Sequence, residues 1–311
     1  MVVPEYTNVE TVPEYKNSQE EDKEVRVDPR VFIASFPKSG THLVELIVQT
    51  ICSPMPANKP WAGTFMGHSW TTQWIDTKKT LRRIGFIRDG TYAKGHLGYK
   101  SEIENFLFGI GAAVLFVYRD PRDVAVSLAH HILDGKPHGS NEMYQEMGFD
   151  ATLLAVIQGL GVYSGILERW AYYAPWLDTT WVLPVKFEDL ITNKREKITE
   201  IVRYIVGHSA NVRGYEATIH QSVLDETVEA MVQNSENTDK SPTFRKGKVG
   251  GWKEEFKAAH DIAFKTADEE SQVLIQLGYE TDDKWKSKAH EKLLEEIQEK
   301  EAQEAEQEEN E

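Results

Sequence analysis

Two apolar runs in this chain each stop at a polar turn and continue at helical spacing, and that pairing restricts the fold more than any other feature. Val31-Phe32-Ile33-Ala34-Ser35-Phe36 reads as a buried strand. Pro37 to Thr41 supplies the turn, and His42 to Ile51 places Leu43, Leu46, Ile47 and Thr50 on one helical side. Ala112 to Tyr118 is the clearest buried strand. Arg119-Asp120-Pro121-Arg122-Asp123 is its turn, with Pro121 at the first helical position, and Val124 to Ile132 is the helix. Runs that are apolar throughout belong to strands covered on both faces. The rest of the chain continues the alternation. The pattern predicts a short strand within 81–91, a helix near Ile103, helical structure over 150–175 and a strand from Thr180 to Phe187. Helices follow through about 206, over 222–233 and over 258–277, whereas 53–80 reads as irregular. Strands alternating with helices give a mainly parallel sheet between two helical layers.

The 311 residues are 40% apolar and 10% aromatic, which is enough for a sizeable core in one domain. No apolar run approaches the roughly 20 residues of a membrane span. The opening MVVPEYTNVE has no basic and then apolar region, so no secretory leader is expected. A single cysteine, Cys52, excludes an internal disulfide framework and a Cys-rich zinc site, and it fits a reducing, cytoplasmic setting. The net charge of −15 is uneven. Residues 1–24 carry seven acids against two lysines, and residues 286–311 carry ten glutamates against four lysines. The remainder is left with only −4, so a local cationic pocket is compatible with the acidic total. Lysines and arginines are scattered, which argues against a nucleic-acid surface. We therefore expect an acidic, disordered N-terminal tail over 1–25, one domain over 26–285, and a Glu-rich helical or disordered tail over 286–311. In that last tail Leu293, Leu294 and Ile297 make one apolar turn, which suits a solvated helix better than a partner-binding coil. There is no internal repeat.

In parallel sheets ligands bind outside the carboxyl ends of the strands, and both sharp turns lie there. In Pro37-Lys38-Ser39-Gly40-Thr41-His42, the residues that open the helix present N–H groups and the positive end of its dipole. Gly40 admits close approach, Lys38 adds a full charge, and Ser39 and Thr41 add hydroxyl donors. These are the parts of a phosphate cradle, although an ordinary helix start reads the same way. The Walker A string is absent. At the second turn Arg119 and, two helical turns on, Ser127 are placed to meet another anion; an Arg119–Asp123 ion pair is the bland alternative. A third cationic element, Phe244-Arg245-Lys246-Gly247-Lys248-Val249-Gly250-Gly251-Trp252-Lys253, reads as a lid or as a solvated basic loop.

In this order and spacing the three elements resemble the soluble, cytosolic-type PAPS-dependent sulfotransferase family, over roughly residues 28–285. The resemblance implies an α/β fold with a P-loop-like central parallel β-sheet flanked by helices on both faces, a single domain with charged tails. It implies that Lys38, Ser39, Gly40, Thr41 and His42 hold the 5′-phosphosulfate. Arg119, Ser127, Arg245 and Gly247 would hold the 3′-phosphate with help from Lys246, and Phe187 takes the place of the tyrosine in the family's Y-E-D string. Lys38 would stabilise the leaving phosphate oxygen. His96, in Lys94-Gly95-His96-Leu97, stands where the family has its K-T-H general base; without the resemblance it is a lone loop histidine. The cofactor is PAPS, with PAP as product, and the reaction needs no metal. His130, His131 and His138 show no ligand spacing with carboxylates.

Several positions depart from the family pattern. His42 and Leu43 replace Thr-Trp, Phe187 lacks the tyrosine hydroxyl, and Gly95 replaces threonine. Gly251 replaces an acidic residue, and Lys253, Lys257, Ala258 and Ile262 do not spell the family's dimer string, so the oligomeric state stays open. Trp61, Phe65, Trp70 and Trp74, with Tyr92 and Tyr99 flanking His96, either line a pocket for a small-molecule acceptor or form core beneath a long loop. Two rivals remain at this stage. A P-loop kinase using ATP and magnesium predicts the missing Walker string. A non-catalytic nucleotide-binding scaffold of the same fold draws support from His42, Leu43 and Gly95, and is opposed by Lys38 and His96.

Overall fold

Period-2 side-chain alternation sends one set of strand residues to each face of a sheet. In β1 (Val31–Ser35), Val31 and Ile33 enter one core and Phe32 and Ala34 the other. β5 (Ala113–Tyr118), which pairs with β1, divides likewise: Val114 and Phe116 on one face, Leu115 and Val117 on the opposite. Both faces are buried, which is why neither run alternates with polar residues. A computed structural model of the protein describes residues 28–55, 65–66, 76–134, 141–160, 163–214, 219–236, 247–269 and 271–309. The expected tail 1–25, the lid cations Arg245 and Lys246, and Trp61, Trp70, Trp74 and His138 lie outside them.

In chain order, β1 leads to α1 (Thr41–Val48), then β2 (Ser53–Pro54), β3 (Phe65–Met66), α2 (Thr77–Ile84), β4 (Thr91–Gly95), α3 (Ser101–Gly109) and β5. α4 (Pro121–Leu133) follows, then α5 (Asn141–Gln158), a hairpin of β6 (Gly159–Leu160) and β7 (Tyr163–Ser164), α6 (Ile166–Ala171) and a 3-10 turn at Ala174–Asp178. β8 (Leu183–Lys186) precedes α7 (Phe187–Thr192), α8 (Lys194–Asn211) and α9 (Gln221–Ser235). The chain closes with α10 (Trp252–Glu255), α11 (Ala258–Ala267), α12 (Gln272–Gln276) and α13 (Lys288–Glu309).

The main sheet is parallel throughout, in the order β2-β4-β1-β5-β8, with β3 joining β4 beyond β2. α1, α8 and α9 bury apolar residues in one core, while α3, α4, α5 and α6 serve the other. β1 therefore sends its helix to one face, and its neighbours β4 and β5 send theirs to the opposite face. Such a reversal opens a crevice at the carboxyl ends of these strands. The expected α/β architecture, a parallel sheet between helical layers with P-loop-like topology, is the one observed.

Three local expectations need correction. The strand expected within 81–91 is instead the end of α2 and a turn, and the strand begins at Thr91. Asp76 caps α2 by accepting from the Lys79 amide at 3.0 Å, a helix-start signal inside a segment that reads as irregular. The stretch 150–175 is broken rather than continuous. Gly165 follows the β6–β7 hairpin, where a Cβ would lie 2.6 Å from the Ile157 carbonyl oxygen. The last expected helix divides at Asp268, whose carboxylate accepts from the Val273 amide and restarts the chain as α12. Beyond it, α13 is exposed along most of its length and is anchored at its start. Buried Asp261 accepts from the Ser287 amide (2.8 Å) and hydroxyl (3.0 Å) and pairs with His290.

Candidate active site

The turn after β1 departs from ordinary backbone geometry. Lys38 has φ 66° and Gly40, the N-cap of α1, has φ 97°. A left-handed lysine persists only where its surroundings over-determine it, and such strain concentrates at functional sites. A Cβ on Gly40 would lie 2.5 Å from Cδ2 of Phe187, so the glycine is needed for packing as well as for φ. A glycine N-cap also brings no side-chain acceptor to the first-turn N–H groups of α1. Ser39 is fully buried, and its hydroxyl has no hydrogen-bond partner among the described residues. A buried unpaired hydroxyl beside an uncapped helix start suits an anion's oxygens.

His96 stands against this turn. Its Nδ1 lies 3.1 Å from the Ser35 carbonyl oxygen, which can only accept, so Nδ1 carries the proton and Nε2 is the basic nitrogen. The Ser35 hydroxyl, 2.9 Å from the same Nδ1, is also 2.8 Å from the Thr41 hydroxyl. Burial, reinforced by the positive charges of Lys38, His42 and Lys94, brings the imidazole down to about 4 against the Ser35 bond, which opposes the shift. His96 is therefore neutral and able to accept a proton at physiological pH. Two aromatic residues fix its backbone from below: Tyr173 donates to the His96 carbonyl at 3.3 Å and Trp176 to the Leu97 carbonyl at 3.0 Å.

A buried polar network adjoins His96. The Glu45 carboxylate on α1 pairs with the Lys94 ammonium and with His42 Nδ1 at 3.1 Å, and accepts from the Tyr92 hydroxyl at 3.0 Å. Burial alone would raise this carboxyl, but the bonds from His42, Lys94 and Tyr92 with the Lys94 charge bring it to about 2. Cys52, by contrast, is pushed up to about 12 by burial and the nearby Asp28 charge, which makes it an inert thiol.

The second turn is built differently. Arg119 donates to Asp123 at 3.2 Å and to the Lys248 carbonyl at 2.7 Å, and its guanidinium lies 4.5 Å from the centre of the Phe187 ring. Its buried Nε has no partner among the described residues. Asp123 accepts from the amides of Gly250 and Trp252, both at 2.9 Å, and so joins the start of α4 to the segment after Gly247. Burial raises the Asp123 carboxyl in spite of Arg119 and these two amides. The Arg119–Asp123 ion pair read from the sequence thus exists, and it also organises the third element. Gly251 places its virtual Cβ 3.5 Å from Asp123 Oδ1, so the family's acidic side chain there would face a buried carboxylate. Next to it, Arg122 is stacked 3.8 Å from Trp252 and 4.7 Å from Trp285 and pairs with Asp120 and Glu280.

Phe187 joins the two turns, packing on Gly40 and beneath Arg119. Ser127 lies on the second turn of α4, half-buried, and Gly247 is half-buried just before the Lys248 carbonyl that receives Arg119. Leu43, where the family has a stacking tryptophan, is buried in the core with α9. Tyr92 is committed to Glu45, and Tyr99 donates to Glu104 at 2.7 Å, so neither hydroxyl is left to an acceptor pocket. Glu45, Lys94, Asp123, Tyr173 and Trp176 were given no role by the sequence reading. Only Lys94, quoted beside His96, and Asp123, quoted as an ion-pair partner, carried a signal that could have found them.

The family model described as Sulfotransferase domain matches residues 28–271. Sulfotransferase 6B1 of Pan troglodytes is 27% identical over 232 residues, covering 73% of this chain and 70% of that protein. A 3-alpha-hydroxysteroid sulfotransferase of Cavia porcellus is 24% identical over 253 residues, covering 78% and 83%. Among solved structures, mouse sulfotransferase SULT7A1 complexed with PAP aligns with a TM-score of 0.51 at 18% identity, over 82% of this chain and 89% of that one.

Proposed function

The chain belongs to the sulfotransferase family, and from that premise we propose that it moves a sulfonate group from PAPS to a hydroxyl or amine of a small-molecule acceptor by in-line transfer. The observation that carries the reading is the pairing of an anion-receptive turn with a neutral histidine: the unpartnered Ser39 hydroxyl at the uncapped start of α1, and His96 with Nε2 basic. The orphaned Arg119 Nε adds an unused donor at the second turn, so the side chains present suit a donor with an anion at each end.

Bound PAPS supplies the sulfonate and a phosphate leaving group. Lys38, Ser39, Gly40, Thr41 and His42 hold the 5′ end, and Lys38 offsets the charge that develops on the leaving oxygen. Arg119, Ser127 and Gly247, with Arg245 and Lys246, hold the 3′ phosphate, and Phe187 keeps the two grips in register. His96 takes the acceptor's proton at Nε2 as the new O–S or N–S bond forms, while the proton on Nδ1 stays with the Ser35 carbonyl. A small-molecule acceptor agrees with the steroid named in one relative's description. A reducing, cytoplasmic setting goes with this reading, as does action without a metal.

Thermal unfolding with added nucleotide tests the donor. PAP raises the melting temperature by mass action, and ATP with magnesium raises it less. The reverse ranking favours a kinase. Stabilisation by PAP without sulfonate transfer to any of a panel of alcohols, phenols and amines favours the non-catalytic scaffold.

A further inference from the structure

We propose that Glu45 is a positioning residue for the 5′ end of the donor, acting through Lys94 and His42. The role rests on the PAPS reading above. It begins from where three side chains meet. His42 stands in the first turn of α1, at the helix end that carries no side-chain cap, and Glu45 follows it by one turn. Lys94 lies two residues before His96 on the neighbouring strand. The carboxylate joins the two side chains: Oε2 receives both His42 Nδ1 and the Lys94 ammonium, while Oε1 receives the Tyr92 hydroxyl, itself supported by Gln49 at 2.9 Å.

Two arms of this network differ in what they reach. The Tyr92–Gln49 arm ties α1 to β4 and would suffice as a staple. The Lys94–His42 arm points to the chemistry, because Lys94 lies two residues before His96 and His42 directly follows the Lys38–Thr41 turn. The Lys94 side chain is 8% exposed and that of Glu45 is 13% exposed, so the ammonium sits with little water and Glu45 is the carboxylate it contacts. A buried ion pair is a poor route to stability, since an apolar pair of similar shape avoids the desolvation cost. Its use here is geometric. One carboxylate holds the Lys94 ammonium and the His42 imidazole together beside the Lys38 turn. Because the carboxylate accepts from His42 Nδ1, it also fixes which imidazole nitrogen is left for another partner.

The test is a double-mutant cycle read by calorimetric binding of PAP to the full-length protein. Glu45→Gln keeps the shape and removes the charge. It is expected to weaken PAP binding about tenfold in the otherwise wild-type protein, and by less than about twofold where Lys94→Met or His42→Ala is already present, because coupled residues are not additive. Two backgrounds are used because Lys94→Met alters a buried site, whereas the His42 side chain is 42% exposed and its removal leaves the packing intact. Unchanged or tighter binding in Glu45→Gln, or an equal loss in every background, overturns the positioning role and leaves the donor assignment standing. Failure of the wild-type protein to bind PAP overturns the donor assignment first, and the positioning role falls with it.

Discussion

The two cationic turns look alike in sequence, each a strand end, a polar turn and a helix start, but they are built to opposite plans. α1 begins at a glycine with no side-chain cap, beside a buried serine hydroxyl with no partner among the described residues. α4 begins with acids: Asp120 accepts from the Arg122 amide, and Asp123 accepts from Arg119, Gly250 and Trp252. An open helix start favours an anion through its N–H groups and dipole, whereas at α4 Asp120 occupies the Arg122 amide and two carboxylates put negative charge at the helix start. Attraction at the second turn therefore comes from the Arg119 side chain and whatever segment Asp123 holds near it. The first turn is suited to charge that changes during a reaction, and the second to a fixed grip. Loss of Lys38 or His96 at the first turn should appear chiefly in kcat, and loss of the second turn chiefly in donor affinity.

The most severe test of that division is at the first turn. Lys38→Ala and His96→Gln should each lower kcat by about 100-fold or more, as expected for removing a charge-stabilising donor or a general base. Their melting temperatures should stay near the wild-type value. Full activity in His96→Gln would remove that residue from the mechanism. Asp123→Ala is next. It leaves Arg119 and two amides without their acceptor, so we expect about 3–5 kcal/mol of destabilisation in denaturant unfolding, the usual result of breaking one side of a buried pair. The donor Kd should rise with much less change in kcat; a loss confined to kcat would erase the contrast between the turns. Gly40→Ala attacks the link between them. Its Cβ would crowd Phe187 in a left-handed backbone, and about 1–3 kcal/mol of strain should appear as weaker PAP binding and lower stability together. If PAP binding is untouched, Phe187 does not couple the two sites.

The smallest effect is in pH. His96 has its folded value near 4 against an ordinary 6.5. On lowering the pH through that window the unfolded chain takes the proton first, so stability present above about 6.5 is lost as the pH falls toward 4. The wild-type melting temperature should fall more steeply over this range than that of His96→Gln. A neutral His96 should also hold kcat/KM of the free enzyme level at pH 6, where an ordinary histidine would already be mostly protonated. An acid limb near 6.5 would show that the imidazole is not buried among cations as described.

Much of this could be read before the fold was known. The apolar runs at Val31 and Ala112, the turns they feed and Pro121 at the first position of α4 are local patterns, and each was found where its spacing put it. Where the reading failed, the deciding contact was distant or the punctuation was subtle. Polar residues at 77–83 hid a helix whose signal was its Asp76 cap, and the Asp268 side chain split an otherwise continuous helical pattern. Gly95 reads as a weakened catalytic string. The structure supplies its reason, since a Cβ there would stand 2.1 Å from the Met66 carbonyl oxygen of the adjoining strand β3.

Spacing along the chain determined which residues share a turn or a strand face, because backbone geometry repeats every few residues regardless of what surrounds it. That was enough to mark Lys38 and Arg119 at two similar turns, whereas His96 stood out only through the family resemblance. Only the tertiary structure decided that one helix start is open and the other carries an acid cap, that Glu45 joins Lys94 to His42, and that His96 is neutral. Those properties depend on burial and on partners tens of residues away. Charge is stabilised or penalised according to the water and dipoles around it, which a linear pattern does not contain.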